Sequence, residues 1–405
     1  MNNKIVIFTI FKYIATIINS IKGFFIAAIL EPVTFGFWTI TMSIVGYFRY
    51  SNFGVSAFIY YRANLSCYTN KYKDYLYLSF VRITIPISII FTIYYYFLVD
   101  VFIEESKFLY LSIFSFSIVL QQVYITNITR LKIERKMSEV ASLDVKYSLL
   151  SFVLYILLTY YFDIQGLFVA FLFSLIIVNF IVFKGLNPKI LHRNVDFHSK
   201  KFRTFIKNSV VTIFPSVVYY LFIYLDLWLI SYYYGLEYAG YFGIYLSFMN
   251  LVILAPSSIS TYMYSMFSRE IKSNINSALK VATVNFIVSL IIAIIGYQML
   301  EFLVSNYLEK YTESLLLINI LLFSLPFLSI RNILGNFFIA NKKTLFHNMG
   351  TILFILIKFF VFLILSNYTN YINALFYINV AYGFLTLVTA LYIKRNILNE
   401  TYCRN

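Results

Sequence analysis

A chain of 405 residues that is 61% hydrophobic and only 12% charged, with a mean hydropathy of +0.79, falls outside the range of soluble domains; those carry about 25% charged residues. Its net charge of +15 is spread over short loops beside apolar segments. There it sets topology and meets anionic lipid headgroups, so a nucleic-acid partner is excluded.

Reading windows of apolar sequence predicts an all-α polytopic membrane protein of about twelve spans. The first six cover roughly 7–30, 35–60, 76–98, 108–129, 143–162 and 166–183. The second six cover roughly 208–234, 239–264, 280–300, 315–338, 346–365 and 374–393. The first span follows Lys4 without a small-residue cleavage site and is too long for a signal segment, so it reads as a retained helix. The loops on the side shared by both termini hold basic residues from Lys4 and Arg62 to Lys394 and Arg395, whereas the opposite loops hold only Lys107 and Lys310. By the positive-inside rule both termini are cytoplasmic.

The one sizeable loop, 184–207, contains Lys184, Lys189, Arg193, Lys200 and Pro188. It divides the chain into an N-terminal six-helix lobe, 1–183, and a C-terminal six-helix lobe, 208–393, with a cytoplasmic tail at 394–405. An internal repeat supports the division. Glu31-Pro32-Val33-Thr34-Phe35-Gly36-Phe37-Trp38 aligns with Gly235-Leu236-Glu237-Tyr238-Ala239-Gly240-Tyr241-Phe242. In each, a short outer loop with a glutamate leads to a glycine–aromatic pair that opens the next helix. Two lobes of the same orientation are a transporter plan.

Charges inside the spans are the candidate functional residues, because a charge at bilayer depth costs about 2.5–3.5 kcal/mol even on insertion scales. In the first span Lys12, Thr16, Asn19 and Lys22 share one helical face, which should turn to a cavity or to other helices; the bland alternative is that each lysine snorkels to its nearer interface. Arg49 lies mid-span, with Asn52 and Ser56 on the same side, and is the strongest candidate for a lumen role. Span seven carries Thr212, Ser216, Tyr219 and Asp226 as an inward stripe. Asp226 is a candidate charge-pair partner for Arg49 or Lys22, or an ion-coupling carboxylate. Lys358 adds a cation from span eleven. Gly36 and Gly240 are candidate gating or helix-shaping positions, and Pro256 a candidate kink in span eight.

Signals of catalysis are missing. No phosphate-binding loop or Gly-x-Ser-x-Gly elbow occurs. His192, His198 and His347 fall in predicted cytosolic loops and are too scattered for a metal site. Cys67 and Cys403 make no disulfide framework. No enzyme activity, cofactor or metal is expected.

The stretch Leu30-Glu31-Pro32-x-x-Phe35-Gly36-x-Trp38, with Asn52-Phe53-Gly54 and Arg62, resembles the first two helices of Wzx-type polysaccharide flippases. These belong to the multidrug/oligosaccharidyl-lipid/polysaccharide (MOP) superfamily. Asp226-x-x-x-Ile230, Gly235 and Gly240-Tyr241 are similar to the start of that family's second half. The resemblance implies a MATE/MOP-like two-lobed bundle in the bacterial inner membrane. It implies passage of an undecaprenyl-pyrophosphate-linked oligosaccharide, such as an O-antigen unit, to the outer leaflet, with a polysaccharide polymerase and a chain-length regulator as candidate partners. An anionic lipid suits the cations Lys12, Lys22, Arg49 and Lys358. The alternatives are a MATE-like ion-coupled drug exporter, which calls for several carboxylates, and a membrane polymerase or ligase, which calls for a large outer loop.

Overall fold

The computed structural model describes residues 3–48, 50, 52–56, 58, 85–86, 89–90, 93, 107–134, 136–183, 200–267, 271–340, 344–365 and 367–402. Every described element is helical. In chain order they are α1 (Asn3–Ile29), α2 (Pro32–Phe48), α3 (Lys107–Ile133), α4 (Met137–Phe183), α5 (Lys200–Tyr234), α6 (Leu236–Phe267) and α7 (Ile271–Tyr307). A 3₁₀ turn (Glu309–Tyr311) leads to α8 (Ser314–Leu321), a second 3₁₀ turn (Leu322–Ser324), α9 (Leu325–Ala340), α10 (Thr344–Ile364) and α11 (Tyr368–Tyr402).

Among the described residues, six helical stretches are long and apolar enough to cross a membrane. Their outward faces carry large apolar side chains in contiguous rows, such as Ile294, Ile295, Met299 and Phe302 on α7. Exposure on that scale fits lipid as the surrounding solvent. The chain is a multi-pass membrane protein.

Helix ends follow local chemistry. Pro32 opens α2, where its missing N–H costs nothing. Gly235 takes φ +94° between α5 and α6, a left-handed stop. The helix α4 breaks at Phe162 and Asp163, the latter at φ 49°, so it comprises two segments at the place where the sequence puts an outer loop. Helix α6 continues past Pro256 to Phe267. Three expected boundaries shift. Helix α5 starts at Lys200, inside the predicted inter-lobe loop; α11 runs on through the predicted tail to Tyr402; and His347 lies within α10.

The chain divides into two compact units. Unit 1 comprises residues 1–30 and 37–217, and unit 2 comprises 31–36 and 218–405. In unit 1, Trp38 sits edge-on to Phe168 at 5.3 Å and to Tyr155 at 5.9 Å, so one indole ties α2 to both segments of α4. In unit 2, small residues Ala278 and Ala282 of α7 let it pack closely on Ile333, Leu334 and Phe337 of α9 and Ala390 of α11.

Residues 31–36 belong with unit 2 although the chain on both sides of them belongs to unit 1. The reason is a reciprocal glycine contact. A side chain at Gly36 would overlap the backbone oxygen of Leu236 and lie 2.8 Å from the nitrogen of Gly240; one at Gly240 would overlap the backbone oxygen of Pro32. Each glycine thus faces the residue four positions before its repeat counterpart. Two backbones come this close only where Cβ atoms are absent. Phe35 and Tyr241 both meet the ring of the fully buried Tyr311, at 5.9 and 6.2 Å, and Lys310 bonds Glu31 at 3.0 Å.

Candidate functional site

In unit 1 the polar stripe of α1 meets a second polar stripe on α4, made by Asp144, Ser148, Ser151 and Tyr155 at helical spacing. Lys12 forms an ion pair with Asp144, which also accepts a 3.1 Å bond from the Tyr124 hydroxyl. Asn19 donates to Ser148 at 2.9 Å, and Lys22 donates to Ser151 at 3.0 Å. The Lys22 ammonium also lies 4.4 Å from the centre of the Tyr155 ring, a cation–π contact. Sequence numbers rise together on the two helices, so the seam is parallel. The stripe is therefore engaged by a neighbouring helix. Without water, a row of polar groups finds the nearest row of the same period.

Of these groups Lys22 differs from Lys12, because no carboxylate pairs with it among the described residues. The Lys12–Asp144 pair remains partly exposed, with side chains 36% and 19% accessible. Water there screens the attraction. Lys12→Met is accordingly expected to cost no more than about 1 kcal/mol, measured as unfolding of the purified protein in detergent; a loss several times larger would show that the pair is the main tie between α1 and α4.

Asn52 was a candidate for the lumen, and the structure gives it a local role. Its side-chain oxygen accepts from the Gly54 N–H at 3.0 Å, and its nitrogen donates to Ser56 at 2.7 Å. This Asx turn supports the left-handed pair Phe53 (φ 48°) and Gly54 (φ 76°). Arg49 lies outside the described residues.

Unit 2 holds the most deeply buried charges. Asp226 on α5 pairs with Lys358 on α10 at 2.6 Å, and they are 4% and 1% exposed. Lys358 also donates to the Phe222 carbonyl at 2.9 Å and lies 3.8 Å from the centre of the Phe222 ring. The other Asp226 oxygen accepts from the Tyr371 hydroxyl at 3.1 Å. Among the described residues the partner of Asp226 is thus Lys358, a pairing the sequence did not single out. The pair is neutral overall and its polar atoms are engaged, which is what a buried ion pair needs to persist.

One turn back along α5 from Phe222, against Tyr219, sits a residue the sequence reading missed. Arg331 on α9 is 6% exposed and donates through Nε to the Tyr382 hydroxyl at 2.9 Å. Its guanidinium lies 3.6 Å from the centre of the Tyr219 ring, and Tyr382 in turn contacts Thr351. The rings of Phe222 and Tyr382, 4.7 Å apart, connect this cluster to the Asp226–Lys358 pair. No carboxylate pairs with Arg331 among the described residues. The clue available in sequence was an Arg-Asn dipeptide interrupting an apolar window. Thr212, at the start of the predicted stripe, is half-buried and bonds its own helix at the Asn208 carbonyl.

The arrangement offers fixed positive charge beside aromatic rings. Among the described residues no three His, Cys, Asp or Glu side chains cluster closely enough to hold a metal ion.

Solved structures share this architecture. An inward-facing MATE-family multidrug resistance transporter of the MOP superfamily superposes with a TM-score of 0.71 at 12% identity, over 95% of this chain and 96% of that one. An outward-facing member gives 0.67 at 13% identity, over 99% and 97%. The fold is that of MOP-superfamily transporters. A third match, a MOP-superfamily transporter from Pyrococcus furiosus described by a binding pocket of reversed polarity, gives 0.66 at 14% identity, over 97% and 95%. No protein-family model and no curated protein matches the chain.

Proposed function

We propose that this protein is a flippase for an anionic, polyprenyl-pyrophosphate-linked oligosaccharide. It carries the lipid from the leaflet beside its basic loops to the opposite leaflet of a bacterial inner membrane by alternating access. One observation carries the reading. Asp144 and Asp226 are each paired with a lysine, whereas Lys22 in unit 1 and Arg331 in unit 2 have no described carboxylate partner. Each of these two sites keeps a positive charge. At an effective dielectric of about 20 a cation 4 Å from a phosphate charge gains about 4 kcal/mol, and a guanidinium offers a phosphate paired donors. Arg49 joins this set from the sequence.

The likeness to MATE multidrug transporters favours a second reading, export of cationic drugs. That reading needs a carboxylate available to the drug, and Asp226 would first have to leave Lys358. The reversed pocket polarity of the Pyrococcus furiosus transporter is a precedent for a change of cargo on this fold.

The test is the fate of single lipid-linked units in cells lacking the gene, complemented by the intact chain, Arg331→Met, Lys22→Met and Arg49→Ala. Units should accumulate on the cytoplasmic leaflet without the gene and reach the outer leaflet with the intact chain. The Arg331→Met protein should insert at normal levels and fail to restore export. Restored drug efflux with no effect on the lipid would establish the exporter instead. Outer-leaflet units left unpolymerised would point to a polymerase or ligase.

A further inference from the structure

A cavity of about 560 Å³ opens in unit 1 where α3 ends and α4 begins, beside the far end of α4. Its walls divide by chemistry. Phe11, Leu143, Ile181 and Val182 form an apolar side, and Leu131 ties it to the buried cluster of Ile128 and Val140. Arg130, Lys136 and Lys146 form a basic side. Two carboxylates share that side, yet both are engaged: Glu134 lies 4.0 Å from Arg130 and 3.7 Å from Lys136, and Glu139 lies 3.7 Å from Lys136. Lys146 is exposed and has no carboxylate partner among the described residues. These residues flank the ends of membrane helices, so the cavity lies at headgroup depth on the side of the basic loops.

We propose that this cavity binds one lipid phosphate, and that its occupant is an anionic phospholipid of the surrounding bilayer. An amphiphilic pocket at the interface matches such a molecule in both halves. The phosphate meets Lys146 and the edge of the Arg130–Lys136 cluster, while an acyl chain lies along Phe11, Leu143 and Ile181. Basic pockets between membrane helices bind acidic headgroups by this division of labour. Lys22 is not among its lining residues, and the site stands whatever cargo the protein moves.

The test is native mass spectrometry of the full-length protein after exchange into detergent with phosphatidylglycerol, phosphatidylethanolamine or undecaprenyl phosphate. The intact protein should retain one phosphatidylglycerol where phosphatidylethanolamine is stripped. Lys136→Gln with Lys146→Gln should lower that retention about tenfold or more; both side chains are exposed, so the fold should tolerate the change. Ser142→Leu, which fills the cavity without altering charge, should also lower it, as a diffuse electrostatic effect would not. Equal retention by intact and variant proteins, or no preference for phosphatidylglycerol, would overturn the proposal. Retention of undecaprenyl phosphate alone would also overturn it, by making the cavity an antechamber for cargo.

Discussion

Lys358→Met is expected to destabilise the protein by about 3–5 kcal/mol, because it strands the Asp226 carboxylate with no other cation paired to it among the described residues. Asp226 is 4% exposed and keeps only the Tyr371 hydroxyl, while Phe222 loses the ammonium from its ring face and carbonyl. Combining Lys358→Met with Asp226→Leu should recover most of that loss, since two apolar side chains need no pairing. Unfolding midpoints of the two singles and the double complete the cycle. A double variant no more stable than the singles would mean that the pair is not held together by mutual neutralisation.

The second large effect is expected at the glycine crossing. Gly36→Ala and Gly240→Ala each drive a methyl group into a backbone carbonyl, of Leu236 and Pro32 respectively. A backbone cannot rotate aside as a side chain does, so α2 and α6 must separate, at a cost of about 1–3 kcal/mol or more. The two changes together should cost less than their sum, because one separation relieves both overlaps. Gly350→Ala is the control. It sits in α10 with nothing within 4 Å of an added methyl, so it should be neutral or stabilising by up to about 1 kcal/mol. If the three alanine variants unfold alike in detergent, the close approach contributes nothing to stability.

Much of this organisation is legible in the sequence, because period and polarity are properties of single segments. The α1 stripe, the break at Asp163 and the repeat containing Gly36 and Gly240 can all be found without coordinates. Partner choice cannot. The phase of Asp226 on α5 shows which way it points, but not that a lysine 132 positions later lies opposite it. The same gap left open whether the α1 stripe faces a cavity or another helix, when a parallel stripe on α4 lay at matching spacing. The local bonds of Asn52 were not legible either, because an Asx turn and a lumen donor look identical in a string of letters. Arg331 was missed because its apolar neighbours on α9 outweigh one charge in a hydropathy window. Aromatic rings and a hydroxyl, rather than a carboxylate, accommodate it, and no pattern of opposite charges betrays that.

The membership of residues 31–36 in unit 2 has a consequence for biosynthesis. Gly36 emerges from the ribosome 204 residues before Gly240, and Phe35 emerges still longer before Tyr311. At about 5–20 residues per second the first turn of α2 waits about 10–40 s for the backbone it will lie against. Throughout that time the α1–α2 hairpin is already in the membrane, with a bare glycine surface and Glu31 lacking Lys310. The nascent protein therefore cannot finish its second half from that half's own sequence. One of its oldest segments supplies that missing piece.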